Sequence, residues 1–316
     1  MAIIHENPVW SGELADPFVL KHKGEYWGYG TSGIQNSSHG SKRIFPVLHS
    51  TDFIHWNPAG YALDTSGLNA QAGAFWAPEV AERDGKFYMY FSFSGGGSDE
   101  FQRLHAAISD HPAGPFRIAG PLIPEEGFTI DAHPFRDPVD GKWYLFFAKD
   151  FFDDRVGTGL AAALLDDSMA RLKSPPKPIL RPFADWQIYE RNRFHYNRRW
   201  EAWHTIEGGF VVYHKKHYWC FYSGGPWTSP NYGVGCAVAD HVLGPYEDPW
   251  SREGPSILRT IPDIMIGPGH NSVVTGPDDK THYIVYHSWD KAHTARRMFI
   301  SPLVWTANGP RLDSIE

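Results

Sequence analysis

A short stretch opening on an acidic residue or a histidine, an apolar run, a tight turn and a second, aromatic-rich run recur five times along this chain. Ala15-Asp16-Pro17-Phe18-Val19-Leu20 is answered by Gly24-Glu25-Tyr26-Trp27-Gly28-Tyr29, and Thr205-Ile206-Glu207-Gly208-Gly209-Phe210 by His217-Tyr218-Trp219-Cys220-Phe221-Tyr222. Marked at Asp16, Glu79, Asp131, Glu207 and His270, the copies lie 63, 52, 76 and 63 residues apart. A period of this size, with a turn inside each copy and further strand-like runs behind it, means one sheet per repeat and a radial array of sheets. The 316 residues therefore predict an all-β, five-bladed propeller in a single domain. Its blades fall at roughly 15–57, 70–118, 129–172, 203–247 and 266–306, with an irregular loop region at about 150–203.

Composition agrees: 15% aromatic residues, 31 Gly and 25 Pro suit short twisted strands and tight turns rather than helices. A formal net charge of −7 with both signs interspersed offers no basic stripe for nucleic acid. No apolar run approaches the length of a membrane span. The opening Met1-Ala2-Ile3-Ile4-His5-Glu6 has neither the charged start nor the apolar core of an export signal, so a cytoplasmic protein is expected. Cys220 and Cys236 stand in apolar runs and are expected to be buried free thiols.

The first repeat is predicted to continue through a third strand at Phe45–Ser50 and to end on Phe53-Ile54-His55-Trp56 as its outer strand. Related turns follow at Asp110 and Asp240, where the aspartates are expected to serve as turn formers, placing blade ends near 56, 116 and 246. Ser174-Pro175-Pro176-Lys177-Pro178 is a rigid extended piece. The arginine- and aromatic-rich stretch from Asp185 to Trp200 is either a solvated loop or a wall over the site.

The innermost strand of each blade lines the axis, so residues opening those strands converge although they are far apart in sequence. Asp16, Asp131, Glu207 and His270 hold such places, and Asp16 and Glu207 both lie eight residues before a turn residue, Gly24 and Lys215. Equal offsets predict equal heights on the funnel. Any one of these residues alone would be an ordinary turn former, but like charges crowded on an axis cost stability and are tolerated where chemistry needs a shifted pKa. Glu79, six residues rather than eight before its Gly85, is expected either to be structural or to support the site from behind. Cleavage of a glycosidic bond needs one protonated carboxyl and one ionised carboxylate. Glu207, flanked by glycines and apolar residues, suits a desolvated acid, while Asp16 precedes a proline turn.

Together with these residues, Phe75-Trp76-Ala77-Pro78-Glu79, Ile130-Asp131-Ala132-His133-Pro134-Phe135, Gly267-Pro268-Gly269-His270-Asn271, Arg296-Arg297-Met298 and Pro302-Leu303-Val304-Trp305 resemble, in order, the motifs of glycoside hydrolase family 43. The resemblance implies Asp16 as general base, Glu207 as general acid and Asp131 as the carboxylate that orients the acid and tunes its pKa. It leaves His270 either as a neutral hydrogen-bonding post or as the holder, through water, of an axial Ca²⁺ or other ion; no cofactor is required. Glu207-Gly208-Gly209 stands where the family often has Glu-Gly-Pro, a departure that bears on the stiffness of this loop. Trp76 and Phe75, with Phe45 or Trp227 from loops, are expected to form apolar walls against a sugar ring, and His270 and Arg296 to bind substrate.

The expected substrate is an oligosaccharide from plant hemicellulose or pectin side chains. An exo-acting α-L-arabinofuranosidase is expected first, then a β-xylosidase, with endo-arabinanase and a non-catalytic sugar-binding propeller behind. A phosphorylase would need a basic cluster, for which only Arg296-Arg297 and Arg198-Arg199 offer themselves. Asp16 and Glu207 open the first and fourth repeats, which predicts opposed carboxyl groups about 6.5–9.5 Å apart and an inverting reaction.

Overall fold

The computed structural model describes residues 2–32, 43–66, 68, 73–96 and 98–313. Five antiparallel sheets stand around one axis. The first holds β1 (Ala15–His22), β2 (Glu25–Thr31), β3 (Arg43–Ser50) and β4 (Asn57–Asp64), and the second β5 (Ala74–Arg83), β6 (Lys86–Ser94), β7 (Arg103–Ser109) and β8 (Phe116–Pro121). The third holds β9 (Thr129–Arg136), β10 (Trp143–Phe151), β11 (Gly157–Leu164) and β12 (Lys177–Leu180). Before the fourth come β13 (Ile188–Arg191), β14 (Phe194–His195) and β15 (Arg198–Arg199). The fourth is β16 (Ala202–His214), β17 (His217–Gly224) and β18 (Gly233–Ala239), with outer bridges from Val234 to Leu258 and from Val238 to Glu247. The fifth is β19 (Ile266–Thr275), β20 (His282–Trp289), β21 (Arg296–Thr306) and β22 (Gly309–Leu312).

The innermost strands pack in the closed order β1, β5, β9, β16, β19 and back to β1, which makes the array a five-bladed propeller. Each blade presents alternate residues to its neighbours, so the core is a set of layers between blades. Phe75, Phe91 and Phe45 fill one such layer, and Phe146, Ile206 and Tyr222 another. Cys220 and Cys236 are free and buried there. The segment before β1 is bonded to the last blade, where Val9 and Leu14 N–H groups donate to the Met298 and Arg296 carbonyls.

The outer strands depart from expectation. Phe53–Trp56 is a bend, held by Asp52 Oδ1 accepting from the Ile54 and His55 N–H groups, and the outer strand of the first blade follows at Asn57–Asp64. The second blade likewise runs on to Pro121 and the third to Leu180, where the proline-rich piece supplies β12. Residue 70, the expected start of the second blade, lies outside the described residues; the strand begins at Ala74. Of the three turn aspartates, only Asp52 bonds its own turn in this way. Asp240 accepts from His217 Nδ1 at 2.8 Å, and Asp110 faces Lys86 Nζ at 3.7 Å.

Candidate active site

Each innermost strand is interrupted by a β-bulge, β19 by two, and in every blade a residue of the interruption is in the left-handed region: Asp16, Ala77, Asp131, Gly208 and His270, with φ between 46° and 58°. A bulge re-aims side chains at the strand where pairing is interrupted, and five of them at one height build a ring. That register corrects the expected equivalence of Asp16 and Glu207. The position matching Asp16 is Gly208, and Glu207 stands one residue earlier, level with Trp76 and Ile130. The two-residue turns explain the slip, because Lys23-Gly24 in the first blade corresponds to Lys215-Lys216 in the fourth, so Lys216 is the partner of Gly24.

The ring is held from behind by a rule of its own. Where a bulge N–H points outward, a side chain on the second strand of the preceding blade accepts it: Thr31 Oγ1 for Ala77, Ser92 Oγ for Asp131, Ser223 Oγ for His270 and His287 Nδ1 for Asp16. The third blade has Ala148 at that place, paired with Ile130. Its missing hydroxyl leaves the Gly208 N–H to the Asp131 carboxylate, which accepts it through Oδ2 at 3.1 Å. Asp131 is thereby tied to the residue following Glu207. A Cβ on Gly208 would stand 3.2 Å from His270 Cγ at a φ that L side chains rarely adopt, so glycine is required where the ring closes on the imidazole.

The structure brings Asp16, Asp131, Glu207, His270 and Arg296 together. Arg296 Nη1 donates to Asp16 Oδ1 at 3.1 Å, and His270 Nδ1 lies 3.5 Å from the same oxygen and 3.9 Å from Asp131 Oδ2. Burial alone would raise the Asp16 pKa, but Arg296, His270 and His287 outweigh it and hold the carboxyl well below the usual range. Glu207 is the reverse case. Burial first, then the charge of Asp131, push its pKa to about 7, against a hydrogen bond from the Tyr232 hydroxyl to Oε1 at 2.7 Å. Burial also lifts Asp131 to about 6. Burial opposes the charged form of His270, yet the charges of Asp131, Asp16 and Glu207 prevail and raise its pKa. Two carboxyl groups in one funnel are thus driven apart in acidity.

Tyr232 and His287 are not visible as site residues in the sequence pattern. Their rings stack 5.9 Å apart at 5°, linking the residue that bonds Glu207 to the residue that bonds Asp16. Burial holds His287 neutral, with a pKa of about 4. Tyr189 is a third. Burial and then the nearby Glu207 charge raise its phenol, and β13 brings it there by pairing with the start of β16. The Asp185–Trp200 stretch is therefore divided: Tyr189 is half-buried within reach of the Glu207 charge, whereas Phe194, Arg198 and Arg199 are exposed to solvent.

Of the expected apolar walls, Phe75 and Phe45 are fully buried among Phe91 and each other and are closed to a ligand. Both are core residues. Trp76 is partly exposed at the ring position matching Glu207, and Trp227 carries the Arg296 guanidinium 4.5 Å above its ring while stacking on Trp289. The implied axial ion finds no protein cage: among the described residues no group of three or more His, Cys, Asp or Glu side chains is placed to hold a metal. His270 turns Nδ1 to carboxylates, which leaves water as the main source of ligands for any ion there.

Comparison with known proteins places this geometry. The chain is 24% identical, over 98% of its length, to an extracellular exo-alpha-(1->5)-L-arabinofuranosidase of Streptomyces avermitilis, of which it covers 63%. It is 25% identical, over 96% of its length and 87% of the relative, to an extracellular exo-alpha-(1->5)-L-arabinofuranosidase of Cellvibrio japonicus. The chain spans only 52% to 63% of three of its curated relatives. Among solved structures, a thermostable family-43 glycoside hydrolase superposes with a TM-score of 0.80 at 31% identity, over 98% of this chain and 96% of that one. An α-L-arabinofuranosidase of Lactobacillus brevis, at 21% identity and a TM-score of 0.75 over 97% and 95%, shares the fold. With the profile of the Glycosyl hydrolases family 43 matching residues 5–310 as well, this chain belongs to glycosyl hydrolase family 43.

Proposed function

We propose that the chain is an inverting, exo-acting α-L-arabinofuranosidase. The observation that carries the reading is the split acidity of the ring: Asp16 kept ionised by Arg296 and Glu207 kept protonated up to about pH 7. Asp16 takes a proton from a water that attacks the anomeric carbon, while Glu207 gives its proton to the departing oxygen. Asp131, fixed by the Gly208 N–H, holds the acid's loop and raises its pKa by its charge. Arg296 orients Asp16 and fixes substrate hydroxyls, and Trp76 offers the open part of its half-buried indole to the sugar face. Relatives named as exo-acting arabinofuranosidases support the choice of sugar.

Rates on aryl α-L-arabinofuranoside and aryl β-D-xyloside, measured side by side with and without phosphate, test it. Arabinofuranoside should be preferred and phosphate should make no difference. NMR of the first-formed sugar should show the inverted anomer; retention would overturn the role of Asp16, and a preference for xyloside would make the chain a β-xylosidase.

A further inference from the structure

A cavity of about 720 Å³ opens between the fourth and fifth blades on the face remote from the carboxylate ring. β21 shows the separation: it starts at Arg296, beside Asp16, and reaches Trp305 about 30 Å farther along the strand. Three indoles build the wall. Trp219 and Trp250 stack with centroids 5.9 Å apart, Trp305 meets Trp219 edge-on at 5.7 Å, and His214 lies flat on Trp305 at 4.1 Å. Gly309, at φ +96°, lets the last hairpin pass this stack, because a Cβ there would stand 2.9 Å from the Trp219 ring.

The lining is chemically mixed. Trp250 is 40% exposed although its other face is stacked, and Asp240 and Glu247 present carboxylates beside it. His214 Nε2 is buried with no protein hydrogen-bond partner among the described residues. An open aromatic face bordered by acceptors and donors matches a sugar, whose C–H face stacks while its hydroxyls bond at the rim. Lys215 and His217 offset the carboxylates, with His217 bonded to Asp240, so the lining has no strong charge of one sign and suits a neutral ligand, and the concave volume lies within the range of small-ligand sites rather than that of flat protein interfaces.

We propose that this groove is a second carbohydrate-binding site, holding a short stretch of a neutral pentose polymer away from the catalytic ring. The choice of polymer rests on the arabinofuranosidase reading above. Native electrophoresis of the full chain through gels containing soluble arabinan or arabinoxylan tests it, in a Glu207→Gln background that prevents hydrolysis. The Glu207→Gln protein should be retarded, and adding Trp250→Ala, or Glu247→Ala at a second exposed position, should weaken retardation at least fivefold. In otherwise unaltered enzyme, Trp250→Ala should leave kcat/KM on an aryl arabinofuranoside unchanged and slow polymer hydrolysis. Equal retardation with and without Trp250, or none by either polymer, would overturn the site. Aryl glycoside turnover judges the catalytic reading separately: an active enzyme with equal retardation loses only the groove, and an inactive one retarded through Trp250 loses only the proposed activity.

Discussion

Tyr232 acts on Glu207 in two opposed ways. Its hydroxyl stabilises the ionised form of Glu207 and so lowers a pKa that burial and Asp131 raise, yet the same bond also fixes the position of the carboxyl. Removing the hydroxyl should therefore separate acidity from geometry. For Tyr232→Phe the alkaline limb of kcat/KM, set near pH 7 by Glu207, is expected to move upward by a few tenths of a unit or more, while kcat falls about tenfold, the worth of one hydrogen bond to a charged group. A pH profile on an activated aryl glycoside checks both. A tyrosine that only filled space would leave the limb where it is. Asp16 needs no such tuning from a hydroxyl, because Arg296 and two imidazoles keep it ionised over the range in which Glu207 titrates.

At the level of elements, what the sequence made legible is the inner half of each blade. The first two strands of every repeat are buried on both faces and carry dense aromatic runs that stand out at any alignment, so the propeller and its convergent residues Asp16, Asp131, Glu207 and His270 are readable. The outer strands are not, because the periphery is solvated: the first five residues of β4 are exposed, and β12 consists of Lys177-Pro178-Ile179-Leu180 with its first half exposed. Nor does counting back from a turn give the register unless the turn itself is aligned: matching Gly24 with Lys215 instead of Lys216 makes Glu207 look equivalent to Asp16. Aligning second strands instead of first ones brings out the column Thr31, Ser92, Ala148, Ser223 and His287, in which alanine is the exception. That exception frees the Gly208 N–H for Asp131. Ala148→Ser should restore the hydroxyl that the other blades use, compete for this N–H and loosen Asp131. The expected outcome is about a tenfold loss of kcat, the scale of one charge-assisted hydrogen bond, with the melting temperature held within a degree or two. Unchanged kcat in a folded Ala148→Ser enzyme would show that the bond does not organise the acid.

Over the whole molecule, a propeller converges its innermost strands on one axis, so whatever charge those strands open with is concentrated there and removed from water. The carboxyl groups of Asp131 and Glu207 are held to pKa values of about 6 and 7 instead of the ordinary carboxylate range. Both shifts are upward, so between roughly pH 4.5 and 7 these two carboxyl groups hold more protons in the folded chain than in the unfolded one, and the stability they contribute falls as pH rises through that window. The stabilising contribution of protonation is complete below the unfolded pKa and is lost once pH passes the folded one. Asp16 has the opposite sign, but its folded and its unfolded pKa both lie below this window, so its contribution is nearly constant across it. Glutamine mimics protonated Glu207 at every pH. Glu207→Gln should therefore match the parent protein near pH 4.5 and exceed it at pH 8 by roughly 1–3 kcal/mol, a few degrees in melting temperature. Thermal melts of the two proteins across pH 4.5–8 decide this: a widening gap marks a site assembled at a cost to the fold, whereas parallel curves would mean that the ring ionises as freely as it does in the unfolded chain.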